Sequence, residues 1–378
     1  MPTARERLFA YRQIYDLAGT DALFTQAVRE NLAHHIAGCS FYRDLLASRG
    51  FDPASLQTAA DCARIPVVPA SFFKYHTAVS LPMGDMAVHA TSSGTQGQKS
   101  QMWFDQQSID DGIRMVTSVV KHYRFFSLQP TNYLMLGYQP APGNETGAIS
   151  TAMGMTRFAP FALHREFALK HTAHGYEVNR FGVLEAVRRY ARQGWPVRMI
   201  GFPYYLYLLL QTMKEEGMKP LKLNKRSYVL LGGGWKQFDD TAIDKLELYA
   251  MAEEMLGIPQ QNCRDFFAAV EHSVAYVECA HHHLHVPVWG RVFIRDVRTL
   301  QPLGFDKPGF LSFVTPLVRS APITSVMMGD LAVLRDGSGC PCGAGSPYFE
   351  VLGRAGTSKM RSCAVAASEF TAGGGRHG

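Results

Sequence analysis

Short apolar runs alternate with amphipathic segments from residue 86 to residue 256, and this alternation most strongly limits the fold of the chain. Runs such as YLMLG at 133–137 have the length of buried strands, and the segments between them carry apolar residues at helical spacing. Alternation of this kind is typical of α/β domains, in which helices cover a sheet. We predict strands at 86–90, 101–104, 133–137, 197–201 and 228–231, and helices at 107–122, 179–193, 204–216 and 240–256.

The two ends of the chain have different sequence patterns from the middle. Apolar positions at helical spacing, interrupted by Gly19 and Gly38, predict two helices within 5–49, and Pro53, Pro66 and Pro69 then indicate a loop-rich link. After about residue 262, the patterns predict short strands at 274–279, 284–286, 291–295, 310–314 and 331–334. The sequence therefore predicts an α/β domain with a strand-rich subdomain, followed by a disordered tail at 371–378.

Composition excludes several classes of protein. Of 378 residues, 47% are hydrophobic and 19% are charged, so the chain is not intrinsically disordered. The net charge of +6 is scattered along the chain, without the basic stripe of a nucleic-acid-binding protein. The N-terminus has no signal-peptide pattern, and the most apolar run, 204–210, is too short to span a membrane. Seven cysteines do not form the even, dense framework of a secreted disulfide protein, so we expect a soluble cytoplasmic protein.

The loop TSSGTQGQKS at 91–100 is a candidate phosphate site. Glycine lets backbone amides approach a phosphate closely, hydroxyl groups donate further hydrogen bonds, and Lys99 adds a positive charge. The spacing is not that of a Walker loop, and a run of Ser and Gly is often a polar surface turn. The candidate ligands are Ser92, Ser93, Gly94, Thr95, Gly97 and Lys99.

Cysteine and histidine residues form a second candidate site. Cys279 and the histidines at 281, 282, 283 and 285 precede the CPC segment that contains Cys340 and Cys342. Two thiolates close together, with a Cys and a His well upstream, suit a tetrahedral zinc ion. The alternative is a pair of core cysteines and an exposed His run without metal.

Five motifs together resemble the adenylate-forming enzyme superfamily of acyl-CoA synthetases and related ligases. The loop SSGTQG is similar to its phosphate loop, and Gly232, Gly233 and Gly234 are similar to the glycine turn beside the adenine. The segment DFFAAVE at 265–271 resembles the D-x-Y-G-x-[ST]-E motif. Asp330 and Arg354 resemble the ribose-binding Asp and the Arg near the domain hinge.

Over almost its whole length the chain more closely resembles the acyl-protein synthetases of the bacterial luminescence fatty-acid reductase system. GGGWK at 232–236, HVPVWGRVFIRD at 285–296 and FEVLGRAG at 349–356 carry the resemblance. Phe267, Ala268 and Val270 depart from the superfamily motif. In addition, 24 residues follow Arg354 (378 − 354), too few for the superfamily's C-terminal domain.

The resemblance implies the fold and a role for each candidate residue. We expect the N-terminal domain of an adenylate-forming enzyme at 1–352, and a truncated C-terminal segment with a tail at 353–378. ATP would lie on the phosphate loop and the glycine turn, with Asp330 on the ribose, Arg354 on ribose or phosphate, and Glu271 on Mg²⁺. A similar set in phenylacetate-type ligases assigns structural Zn²⁺ to Cys279, His285, Cys340 and Cys342, with His283 as the alternative histidine. Cys363, near Lys359 and Arg361, matches the Cys that accepts the acyl group.

The predicted function is ATP-dependent activation of a carboxylic acid, expected to be a fatty acid, as acyl-AMP, followed by transfer to a protein cysteine. An acyl-CoA or acyl-protein reductase would be a suitable partner for the acyl group. Two alternatives remain open: a carboxylate–CoA ligase of the phenylacetate type, and a zinc-stabilised binding module without catalysis.

Overall fold

The structure is a computed structural model that describes residues 1–91, 99–142, 144 and 147–355. Cys363 and Lys359 lie outside the described residues, as do Ser92, Ser93, Gly94, Thr95 and Gly97. The α-helices are α1 (Ala4–Phe9), α2 (Asp21–Gly38), α3 (Ser40–Ser48), α4 (Gln106–His122), α5 (Gly147–Met155), α6 (Arg180–Gln193), α7 (Pro203–Glu215) and α8 (Lys245–Leu256).

The strands form two large sheets and one hairpin. They are β1 (Val68–Pro69), β2 (Met86–Thr91), β3 (Gln101–Asp105), β4 (Thr131–Tyr138), β5 (Ala162–Thr172), β6 (Gly175–Val178), β7 (Val197–Gly201), β8 (Tyr228–Gly232), β9 (Cys263–Ala269), β10 (His272–Val277), β11 (Leu284–His285), β12 (Arg291–Arg295), β13 (Pro302–Leu303), β14 (Pro308–Val314), β15 (Ser325–Arg335) and β16 (Tyr348–Arg354).

The first sheet, called the parallel sheet here, has the strand order β10-β9-β8-β7-β4-β5-β6. Its five central strands run parallel, and β10 and β6 are antiparallel at the two edges. Successive residues of β4 alternate between its two faces. Leu134 and Leu136 pack into the cluster formed with α6, α7 and α8, whereas Tyr133 and Met135 pack into a cluster that includes Met153 of α5. Helices therefore cover both faces, as a parallel sheet requires.

The second sheet, called the antiparallel sheet, has the strand order β11-β16-β15-β14-β12-β13, and β1 pairs in parallel with β15. It forms the strand-rich subdomain that the sequence predicts. An aromatic cluster connects it to the parallel sheet: Phe267 of β9 lies 5.6 Å from Phe313 and 5.7 Å from Phe349, measured between ring centroids. The third unit is the hairpin of β2 and β3.

The structure corrects several predicted elements. Residues 5–49 form three helices rather than two, because Gly38 is the last residue of α2 and α3 begins at Ser40. The predicted helix 240–256 begins only at Lys245, since the side chain of Asp244 caps it by accepting from the backbone of Leu246 at 2.8 Å. The strand predicted at 331–334 is the end of the longer β15. Six strands were not predicted: β1, β5, β6, β9, β13 and β16.

A buried ion pair ties the N-terminal helix to the rest of the fold. Arg5 Nη1 lies 2.6 Å from Asp111 Oδ2 of α4, and both side chains are almost fully buried. The same guanidinium donates to the carbonyl oxygens of Pro316 at 3.0 Å and Leu317 at 2.6 Å. These contacts join α1, α4 and the loop after β14. In the described residues no helix is long and apolar enough to cross a membrane.

We predict that Arg5→Ala lowers the free energy of unfolding by about 3 kcal/mol, because it leaves a buried carboxylate without its main partner. Denaturant unfolding of both proteins measures the difference. The matched control is Arg43→Ala, since Arg43 pairs with Asp44 at 3.3 Å on the surface. That substitution should change the stability by less than about 1 kcal/mol. Equal losses in the two variants would contradict the structural role of Arg5.

Candidate functional site

The carboxyl ends of the parallel strands form one edge of the sheet, the usual position of ligand sites in such sheets. β8 ends there in Gly232, Gly233 and Gly234. A Cβ atom on Gly232 would lie 2.3 Å from the ring of Phe266 on β9, so only glycine fits against this neighbour. Gly233 has a φ of 77° and Gly234 a φ of 66°, which glycine adopts without steric cost. The turn thus exposes backbone at the sheet edge.

The DFFAAVE segment occupies β9 and the turn to β10, beside the glycine turn. Gly232 pairs with Phe266 across the ladder, and Glu271 lies in the turn after Ala269. Glu271 is buried. Phe267, which replaces the superfamily Tyr, packs into the aromatic cluster between the sheets, at 90° to the Phe349 ring. An apolar ring at this position is therefore explained by its packing.

The hairpin of β2 and β3 holds the two ends of the Ser/Thr/Gly loop. Thr91 pairs with Gln101, so the chain leaves and re-enters the hairpin at neighbouring positions. A Cβ atom on Gly147 would be 3.7 Å from the carbonyl oxygen of Thr91. Because α5 begins at Gly147, after the carboxyl end of β4, the loop starts near the ligand edge of the sheet. Lys99 is half-buried.

Asp330 and Arg354 face each other on adjacent strands. They are paired in the register of β15 and β16, and Arg354 Nε lies 3.2 Å from Asp330 Oδ1. Asp330 is 8% exposed, whereas the Arg354 side chain is largely exposed. Burial raises the pKa of Asp330, and the charge of Arg354 opposes that rise. The pair presents one buried acceptor and one accessible guanidinium.

Four residues converge beside β11, at the edge of the antiparallel sheet: Cys279, His285, Cys340 and Cys342. Their ligand atoms all lie within 4.8 Å of one another. The Sγ atoms of Cys279 and Cys340 are 3.9 Å apart, those of Cys340 and Cys342 are 3.3 Å apart, and His285 Nε2 is 3.3 Å from Cys342 Sγ. Ligands at about 2.3 Å from a tetrahedral zinc ion would be about 3.8 Å apart. The sulfur atoms are too far apart for disulfide bonds.

The surroundings of this cluster orient its ligand atoms. His285 Nδ1 is 2.7 Å from the carbonyl oxygen of Ser346, which directs the Nε2 lone pair toward the thiols. The backbone N–H groups of His281 and Ala344 donate to the sulfur atoms of Cys279 and Cys342. His283 lies outside this four-atom group, but its Nδ1 is 3.2 Å from Cys340 Sγ and its ring stacks on Tyr348.

The interaction between Asp265 of the DFFAAVE segment and the buried Glu278 was not predicted from the sequence. Glu278 is fully buried and accepts from the backbone N–H of Asp265 at 2.7 Å, from Tyr249 at 3.2 Å and from Lys245. Burial and the neighbouring charge of Glu278 raise the pKa of Asp265 to about 7. These contacts fasten β9 and β10 to α8. In the sequence, Glu278 is a single acidic residue at the end of an apolar strand, and this pattern does not indicate which residues it contacts.

The structure thus assembles the predicted residues into three groups: the sheet edge with Gly232–Gly234 and Glu271, the Asp330–Arg354 pair, and the Cys/His cluster. The residues that would bind the carboxylic acid substrate were not identified from the sequence. The apolar run at 204–210 places Tyr205, Leu206, Leu209 and Leu210 in the core.

Known proteins resemble this chain over most of its length. The family model described as "Acyl-protein synthetase, LuxE" matches residues 14–371. The "Long-chain-fatty-acid--luciferin-component ligase" of Vibrio harveyi is 26% identical over 365 residues, which cover 95% of this chain and 91% of the relative. The protein of the same name from Aliivibrio fischeri is 24% identical over 306 residues, covering 80% and 77%.

The fold is also found among solved structures. An open conformation of 2-hydroxyisobutyryl-CoA ligase, in complex with 2-HIB-AMP and CoA, superimposes with a TM-score of 0.65 at 15% identity. The match covers 91% of this chain and 77% of that chain. The predicted α/β fold of an adenylate-forming enzyme is therefore confirmed. Since the family match extends over 358 of 378 residues (371 − 14 + 1), the chain belongs to the acyl-protein synthetase LuxE family.

Proposed function

We propose that this protein activates a long-chain fatty acid with ATP and transfers the acyl group to its own Cys363. The observation that carries the proposal is the sheet edge, where the glycine turn lies beside Phe266 of β9, the strand that leads to Glu271, and where α5 begins beside Thr91 at the start of the Ser/Thr/Gly loop. The names of the two curated relatives support a long-chain fatty acid as the substrate. The adenylate in the related CoA ligase supports acyl-AMP as the intermediate.

In the first step, a carboxylate oxygen of the fatty acid attacks the α-phosphorus of ATP, and pyrophosphate leaves. Because the substrate and ATP both carry negative charge, the protein contributes chiefly by positioning and by neutralising that charge. Backbone amides at Gly232–Gly234 would border the adenine, and Asp330 would accept from the ribose hydroxyls. Arg354 would bind ribose or phosphate oxygen, and Glu271 would hold Mg²⁺, which prefers oxygen ligands.

In the second step, the Cys363 thiolate attacks the acyl carbon, a thioester forms and AMP leaves. We propose residues 1–352 as the activating domain and 353–378 as a short segment that carries this thiol. The nearby Lys359 and Arg361 would favour the thiolate form. An acyl-accepting partner, such as a reductase, would then receive the acyl group, in agreement with the words "luciferin-component" in the relatives' names.

We further propose that Cys279, His285, Cys340 and Cys342 hold a structural zinc ion. The cluster fits zinc by its donor set, by the sulfur separation of 3.9 Å and by the hydrogen bond that orients His285. The role is to connect the β10–β11 segment to the β15–β16 turn, because the ligands come from both. His283 would donate a hydrogen bond to a bound thiolate rather than bind the metal. Zinc would supply folding energy here and no catalytic step.

Labelling tests the acyl transfer. After incubation with ATP, Mg²⁺ and a radiolabelled C14 or C16 acid, we expect label on the denatured protein that hydroxylamine releases. Cys363→Ser should lose more than about 95% of that label yet retain acid-dependent pyrophosphate exchange, because adenylation precedes thiol attack. Cys39→Ser is the matched control, since Cys39 is buried in the core, and it should label normally.

Two results would contradict the proposed transfer. Label that persists in Cys363→Ser would place the thioester elsewhere. Formation of acyl-CoA from added CoA without protein label would indicate a carboxylate–CoA ligase instead.

A further inference from the structure

The amino ends of the five parallel strands form a second edge, opposite the ligand edge. The segments that reach it are 123–130, 156–161, 192–196, 222–227 and 257–262, and together they are called the amino-end face here. Strands of five residues, such as β7, separate the two edges by about 17 Å. A partner on this face would therefore leave the ligand edge open.

Hydrogen bonds connect these five segments into one surface. The backbone of Ser127 donates to Phe158 at 2.9 Å, and that of Asn132 donates to Pro196 at 2.9 Å. The Asn224 side chain donates to the Gly194 carbonyl at 2.8 Å, and the Asn262 side chain donates to the Lys225 carbonyl at 3.0 Å. The segments of the amino-end face are therefore held together by hydrogen bonds between neighbours.

Large apolar side chains project from three of these segments into solvent. Phe126 and Leu128 precede β4, Phe161 precedes β5, and Trp195 precedes β7. Their exposed fractions range from 42% for Trp195 to 62% for Leu128. Single exposed apolar residues are normal, but four at one end of one sheet require an explanation.

The same face is strongly basic. The five segments contain no Asp or Glu, although the whole chain has 32. Two acids lie at its border on α8, where Glu253 accepts from Gln260 and Glu254 pairs with Lys214. The charge surplus of the entire chain, +6, is equalled by six exposed cations of the face: Arg124, Arg157, Arg192, Lys222, Lys225 and Arg226.

We propose that the amino-end face docks the protein reversibly on an anionic lipid surface. Aromatic and Leu side chains at loop tips would enter the headgroup region, and the surrounding cations would contact lipid phosphates. Because the five segments contain no Asp or Glu, the face is uniformly basic, which suits a continuous anionic lipid surface. This inference concerns location and does not depend on the adenylation chemistry.

Vesicle co-sedimentation of the full chain, without ATP or fatty acid, tests the proposal. We expect binding to phosphatidylcholine vesicles that contain about 30% phosphatidylglycerol, little binding to pure phosphatidylcholine, and loss of binding as salt rises from about 0.1 M to about 0.5 M. The triple variant Arg192→Glu/Lys225→Glu/Arg226→Glu should bind at least about 100-fold more weakly. Trp195→Ala should bind about tenfold more weakly.

Matched controls change the same chemistry elsewhere. Arg49→Glu/Arg298→Glu/Lys307→Glu has the same net charge as the first triple, and Phe305→Ala removes an exposed ring from a different loop. Both should bind as the wild type does. The proposal is overturned if the wild type does not bind anionic vesicles, or if the two triple variants lose vesicle binding equally. It is also overturned if the substitutions on the face weaken binding to a purified acyl-accepting protein while the wild type shows no vesicle binding.

Discussion

Replacing Cys340 by Ser is expected to release bound metal and to lower the free energy of unfolding by at least about 3 kcal/mol. Cys340 Sγ is central to the cluster, 3.9 Å from Cys279 Sγ and 3.3 Å from Cys342 Sγ. Its loss would remove one of the four proposed zinc ligands and leave the thiols of Cys279 and Cys342 without the proposed cation. Wild-type protein should contain about one equivalent of zinc by elemental analysis, and a strong chelator should destabilise it to a similar extent.

Two controls distinguish metal loss from a general packing defect. Cys263→Ala also alters a fully buried cysteine, but in the parallel-sheet core, so it should retain the zinc equivalent. His285→Ala should lose the metal, whereas His283→Ala should keep it, because His285 Nε2 belongs to the four-atom group. Folded wild-type protein with well under one equivalent of metal would contradict the zinc assignment.

Replacing Asp330 by Asn is expected to reduce kcat/KM for ATP by about 100-fold, with a much smaller change in KM for the acid. The buried carboxylate is the proposed acceptor for the ribose hydroxyls, and an amide accepts these hydrogen bonds less strongly. Its packing volume is nearly the same, so the variant should remain folded. Steady-state kinetics with ATP and the acid varied separately measures the two effects.

The matched control is Asp306→Asn, because Asp306 pairs with Arg335 on the surface and is 68% exposed. It should leave both kinetic constants within about twofold of the wild type. An equal loss for both substrates in Asp330→Asn, together with reduced stability, would indicate a structural role for the Asp330–Arg354 pair instead.

The parts of the fold that were predicted correctly have strong local patterns. β7 is confirmed at Val197–Gly201, where a short, mainly apolar run that contains Arg198 is buried on both faces. β5 was not predicted, since ALHREFALKHT mixes good helix formers with exposed polar residues and forms a strand by pairing with β4 and β6. Tertiary pairing overrides local preference there.

The residues of the candidate site also differ in how far the sequence predicts their positions. Cys279, Cys340 and Cys342 were recognised by their spacing, and the resemblance to phenylacetate-type ligases selected His285, with His283 as the alternative. The contact of His285 Nδ1 with the carbonyl of Ser346, which orients the ring, is specified by no sequence pattern. The register that pairs Asp330 with Arg354 could not be predicted, because β16 was not recognised as a strand. Glu278 was missed since its partners, Lys245 and Asp265, are distant in sequence.

ATP–pyrophosphate exchange would show whether this chain forms an acyl-adenylate. The full-length protein, with Mg²⁺ and a panel of acids from acetate to a C16 fatty acid, should catalyse exchange that depends on the acid and is fastest with the long chains. The exchange should persist in Cys363→Ser and decrease strongly in Asp330→Asn. Absence of acid-dependent exchange in folded protein with its full metal content would contradict acyl-adenylate formation. It would favour the alternative, a zinc-stabilised binding module.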